Sequence, residues 1–167
     1  MAKSIVSSLI ACLPNESKDL LNENKELLNE NKNFISTSTS KPPMFNYATF
    51  CKVLSICEIG ILVGIVLQSY PVILKYEEDK KRRLENGKRL VISELVKMFT
   101  NQNSSLKKLI YRGHAGTRFP SFRQYSDSSP YYHLSFTYFS GMRDLSELCC
   151  GSNLPSDFFS LAISNMP

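Results

Sequence analysis

Apolar and polar positions are unevenly spread along this chain. The densest apolar run is residues 53–74, VLSICEIGILVGIVLQSYPVIL, in which Glu58 is the one ionisable side chain. A continuous helix over those 22 positions would be roughly 33 Å long, enough to cross a hydrocarbon core of about 30 Å. Its 13 Leu, Ile and Val residues would contribute roughly −4 to −8 kcal/mol to insertion, and Glu58 would oppose this by at most about 3 kcal/mol. The pattern predicts a single transmembrane helix. The competing reading is a long helix buried in a soluble domain, which would normally be shorter and polar on one face.

Other stretches are weaker. Within residues 16–35, LLNENKE at 20–26 is followed by LLNENKN at 27–33, which gives a helix one narrow apolar stripe. Asn24 and Asn31 occupy core-type positions of that stripe and weaken a coiled coil. Residues 34–43, FISTSTSKPP, read as a linker. Residues 75–100 read as a charged helix with Leu84, Val91, Leu95 and Met98 on one face and a weak point at Asn86-Gly87. Short helices are expected at 104–111, 144–150 and 157–163, and a strand over Leu134, Phe136 and Tyr138. The expected fold class is therefore mostly α. A single transmembrane helix is flanked by amphipathic or charged helices and followed by a loosely ordered, Ser- and aromatic-rich tail. The expected organisation is a polar region at 1–43, a transmembrane segment at 44–75, a basic juxtamembrane region at 76–111 and the tail at 112–167.

Charge refines this picture. The formal net charge is +5. Residues 1–52 hold six Lys and five acidic residues, net +1, whereas residues 75–167 hold fourteen Lys or Arg and nine acidic residues, net +5. Lys80, Lys81, Arg82, Arg83, Lys88 and Arg89 lie where a juxtamembrane helix would meet anionic lipid headgroups. Their excess over the N-terminal flank predicts a cytosolic C-terminal part. Tyr47 and Phe50 at one end of the run, and Tyr70 and Tyr76 at the other, suit headgroup depth. Nucleic-acid binding is the rival use of the basic residues, including the Arg112, Arg118, Arg123 series with Phe119, Phe122 and Tyr125, but no base-stacking fold is recognisable.

Candidate chemistry is sparse. Gly60 and Gly64 form a GxxxG motif with Gln68 one turn further on, a face on which two helices could pack closely and self-associate. Glu58 is a candidate intramembrane ionisable site, with pore lining as the sharper use and snorkelling to the interface as the bland one. Asn15-Glu16-Ser17 is a glycosylation sequon, and the expected orientation selects Asn15 over Asn103. ESKDLL and ENKELL fit acidic-dileucine sorting signals, a use that needs the opposite orientation. The five cysteines match neither a disulfide framework nor a zinc site. His114 and His133 lack a second ligand at metal-binding spacing, so no cofactor or metal is expected. No phosphate loop or nucleophile elbow is present, and enzyme activity is not expected.

Together these features predict a small single-pass membrane-anchored interaction protein. Its expected partners are membrane lipid, itself and an unidentified protein. The rivals are a channel-forming or membrane-remodelling protein of the kind viruses encode, and an accessory subunit of a larger membrane complex.

Overall fold

A computed structural model describes residues 2–24, 45, 47–67, 78–102, 106–111 and 144–150. Within these residues lie helices α1 (Ala2–Ala11), α2 (Asn15–Glu23), α3 (Ile56–Leu67) and α4 (Glu78–Gln102). They also hold a 3-10 turn (Tyr47–Phe50) and strands β1 (Val53–Ser55), β2 (Lys108–Tyr111) and β3 (Glu147–Cys150). The tandem heptad beyond Asn24, the 34–43 linker and the strand over Leu134–Tyr138 lie outside the described residues.

The apolar run does not form one helix. Val53–Ser55 is strand β1, paired with β2, and the chain turns into α3 at the next residue. The Ser55 side chain starts that helix: its Oγ accepts a hydrogen bond from the Glu58 amide at 3.3 Å. Ser55-Ile56-Cys57-Glu58 is the capping-box pattern, in which a hydroxyl satisfies one of the four amides a helix start leaves unpaired. The α3 helix has 12 residues, so it is about 18 Å long, little more than half of a hydrocarbon core. No helix among the described residues is long and apolar enough to cross a membrane. The expected transmembrane helix, and with it the integral single-pass placement, is corrected accordingly.

The physical reason is that hydropathy cannot tell lipid from protein interior. A helix apolar on every side needs an apolar environment on every side, and α3 finds one by packing against α1, α4 and β2. Ile56, Ile59, Val63, Val66 and Leu67 are buried there, while Ile65 is exposed. Each such side chain contributes about 1.5–3 kcal/mol on full burial.

The long helix α4 turns Val91, Ile92, Leu95, Val96, Met98 and Phe99 into the same core. It runs without interruption through Asn86-Gly87, so the expected weak point does not divide it. A mid-helix glycine costs about 1 kcal/mol, less than the burial of two or three of those side chains. Val6 and Ile10 of α1, Leu13, Leu21 of α2 and Ala48 of the 3-10 turn complete the packing.

The strands pair in parallel in the order β1-β2-β3. Leu54 stands opposite Leu109, which stands opposite Leu148. Short helices were expected at 104–111 and 144–150. Both segments instead carry strands, because each offers apolar residues at the first, fourth and sixth of six positions. These are Leu106, Leu109 and Tyr111 in one and Leu145, Leu148 and Cys150 in the other. Cys51, Leu54 and Ile56 repeat the spacing at β1. The hydrogen bonds repeat too. The Lys52 carbonyl accepts from the amides of Lys107 and Lys108, and the Lys107 carbonyl accepts from those of Ser146 and Glu147. Each strand is thus laid on its predecessor by the same local geometry, the arrangement of a short parallel stack.

Candidate docking surface

Alternation along the strands divides the sheet into two faces. Leu54, Leu109 and Tyr111 point inward and are buried, and Leu148 packs against the same core. The opposite face carries two rows of residues in register: Val53, Lys108 and Glu147, then Ser55, Ile110 and Cys149. Val53 is 52% exposed, an unusual position for a β-branched apolar residue at the edge of a sheet. Phe45, Tyr47 and Phe50 precede it in the chain and are exposed as well, Phe50 to 72%. Tyr47 and Phe50, expected at headgroup depth, are exposed in the 3-10 turn, which packs against α4.

Electrostatics on the face are specific. Lys108 Nζ donates to Glu147 Oε1 across the β2–β3 pair. The hydrogen bond to Glu147 raises the Lys108 pKa, and the same bond, helped by the Cys149 thiol at 3.4 Å, holds the Glu147 carboxyl below its usual range. Lys52 and Lys107 are both exposed and have their backbones directly bonded, at 2.9 Å from Lys107 N to Lys52 O.

Cys12 and Cys51 pack against the core, and Cys57 is half-buried in the first turn of α3. Burial raises the pKa of Cys51 and of Cys57, in the second case with help from the Glu58 charge, so both are thiols. The Cys51 thiol donates to the Val53 carbonyl at 3.1 Å. Among the described residues no group of three or more His, Cys, Asp and Glu is placed to hold a metal ion.

The residues singled out from the sequence are dispersed. Glu58 is exposed, in the first turn of α3. Gly60 and Gly64 are buried within α3, so self-association through them would require α3 to leave its neighbours. A Cβ built on Gly64 meets nothing within 4 Å, so that glycine is not the site of a close backbone approach. Gln68 lies outside the described residues.

Of the six basic residues, Lys80 and Lys81 lie on α4 near its start. Arg82 and Arg83 are exposed, Arg82 near Asp79 at 3.6 Å. Lys88 is 6% exposed and donates to Glu85 at 2.6 Å. The Arg89 Nε is buried without a hydrogen-bond partner among the described residues. The six therefore do not form one exposed strip. Asn15 is exposed at the first position of α2.

Sequence reasoning missed the sheet face altogether. The signal that could have found it is the first-fourth-sixth spacing repeated at 51–56, 106–111 and 145–150. The Ser55-x-x-Glu58 pattern could likewise have marked the strand-to-helix boundary inside the apolar run. The chain matches no protein-family model, and no characterised protein or solved structure resembles it at a significant level.

Proposed function

We propose that this chain is a protein–protein interaction module whose contact surface is the outward face of its three-stranded parallel sheet. The observation that carries the reading is the exposure of Val53 on a sheet face that also carries the charged residues Lys108 and Glu147 in register with it. Parallel strands stacked in chain order build a continuous surface from side chains far apart in sequence, the use to which repeat architectures are put. Exposed aromatic and apolar groups beside polar ones are the usual composition of an interface.

The test compares proteins that co-purify with the tagged full chain and with its Val53→Asp/Ile110→Asp variant. A substitution at Lys3, on the exposed side of α1, serves as the control. A defined set of partners should be lost with the sheet variant and kept with the control. If the sheet variant, folded as judged by circular dichroism, retains every partner, the reading fails.

A further inference from the structure

We propose that the outer edge of β3 takes up an extended segment of a partner protein as a fourth parallel strand. That segment carries apolar side chains at its first, fourth and sixth positions and a lysine or arginine at its third. The proposal goes beyond the outward face and uses a different surface, the rim of the sheet. Its first support is the repeated hydrogen bonding. The Lys52 carbonyl accepts from the amides of Lys107 and Lys108, and the Lys107 carbonyl from those of Ser146 and Glu147. Lys52, Lys107 and Ser146 all hold the second position of the six-residue spacing at 51–56, 106–111 and 145–150. The Ser146 carbonyl is therefore the next acceptor of the series, and it has no donor among the described residues. Strand β3 ends the order β1-β2-β3, so its far side is unpaired among those residues.

The second support is the apolar row. Leu54 and Leu109 hold the fourth position of the first two spacings and are 2% and 0% exposed, whereas Leu148, in the third, is only partly buried. Stacked units bury each apolar row against the next, which leaves the last row incomplete. A fourth-position side chain on an added strand would stand beside Leu148 as Leu109 does and cover it. The β1 edge does not offer the same opening. Its Val53 carbonyl, one residue beyond the Lys52 acceptor and so turned away from β2, already accepts the Cys51 thiol. Charge then sets the third position. Glu147 keeps 53% of its side chain exposed while it holds Lys108, and a cation on the far side would stand opposite it in register. Opposite charges on neighbouring strands attract, and an acidic residue there would be repelled. Strand addition of this kind draws affinity from the main chain and specificity from alternate side chains.

The experiment uses the full chain and a fluorescent peptide with Leu at the first, fourth and sixth positions, Lys at the third and Thr elsewhere, read by anisotropy. Two further peptides carry Glu at the third position or the same residues in reversed order. The Lys peptide should bind about twofold to fivefold more tightly than the Glu peptide, and more tightly than the reversed one. Glu147→Lys should invert the preference between the Lys and Glu peptides. Glu147→Gln should abolish it, and serves if the charge-reversed chain misfolds. Leu148→Pro removes an amide that points away from β2, a change that edge strands tolerate. In a chain shown to be folded by circular dichroism it should weaken binding by about tenfold or more.

Absence of saturable binding, equal binding of the reversed peptide, or indifference to Leu148→Pro overturns the proposal. So does a preference for Lys over Glu that survives both Glu147 variants. Val53→Asp lies on the far strand and should leave peptide binding intact; loss of binding there would move the peptide to the outward face and overturn the edge site. If sedimentation shows that the full chain dimerises and that the peptide splits the dimer, the occupant is a second copy, and the proposal of a partner segment is overturned. Each of these failures leaves the outward face to its own co-purification test, since that test changes Val53 and Ile110 and not β3.

Discussion

Ser17 Oγ donates to Glu94 Oε2 at 2.7 Å, a bond that joins residues 77 positions apart and ties α2 to the middle of α4. Glu94 is 4% exposed, and its second oxygen accepts from Lys97 at 2.7 Å. A buried carboxylate is tolerated when its oxygens are occupied. Ser17→Ala removes one of those bonds and should lower the unfolding free energy by about 1 kcal/mol, while Glu94→Ala, which strips both donors of their acceptor, should cost about 2–3 kcal/mol. A double-mutant cycle by urea denaturation measures the coupling directly. A coupling near zero would mean that this bond adds nothing to the packing that holds α2.

The start of α3 provides a second test. Ser55→Ala leaves the Glu58 amide without its acceptor, and loss of such a cap costs about 1 kcal/mol. Glu58→Gln should change stability by only a few tenths of a kcal/mol, since the side chain is exposed and its contribution is limited to the helix dipole. Thermal unfolding of the two variants separates these effects. A large loss for Glu58→Gln with none for Ser55→Ala would contradict the capping geometry.

Gly64 discriminates between two uses of the same motif. In a close helix pair an added methyl group would clash, yet a Cβ at Gly64 has nothing within 4 Å. Gly64→Ala should therefore be stabilising by about 0.5–1 kcal/mol, the usual gain when glycine is replaced inside a helix. A raised urea midpoint with unchanged slope is the expected result. Destabilisation would place another backbone against that face after all.

How much of this was legible in the sequence depends on which force decides each element. The helix α4 could be read from Leu84, Val91, Leu95 and Met98, because a long amphipathic stripe specifies a helix with little help from its surroundings. The fate of residues 53–67 could not be read from hydropathy, since the same Ile and Val side chains are satisfied by lipid or by α1, α4 and β2. Ser55 held the missing information, as a polar cap within an apolar run. Strands β2 and β3 have four residues each, too few for alternation to outvote a helical reading. What fixes them is pairing with β1 and with each other, a relationship among residues far apart in sequence. The surface formed by Val53, Lys108 and Glu147 exists only once that register is set, so no single segment announces it; the spacing shared by 51–56, 106–111 and 145–150 points to it only when the three are compared.

The Lys108–Glu147 pair makes the stability of the sheet depend on pH in a direction that can be stated. Glu147 has its pKa lowered by the Lys108 hydrogen bond. Its contribution is therefore present above the ordinary carboxylate pKa of about 4.3 and is lost as pH falls through the lower folded value. Lys108 has its pKa raised by the same bond. Its contribution is complete below the ordinary lysine pKa of about 10.4 and disappears as pH rises through the higher folded value. Between those limits both charges are present and the pair is intact. Both side chains meet solvent, so the effect should be small and should shrink in added salt. Urea midpoints of the full chain and of Glu147→Gln should differ at about pH 7 and converge as pH falls through the lowered folded value, where the carboxylate that distinguishes them takes up its proton. A difference that stays constant over that range would show that Glu147 supports β3 through its shape and not through its charge.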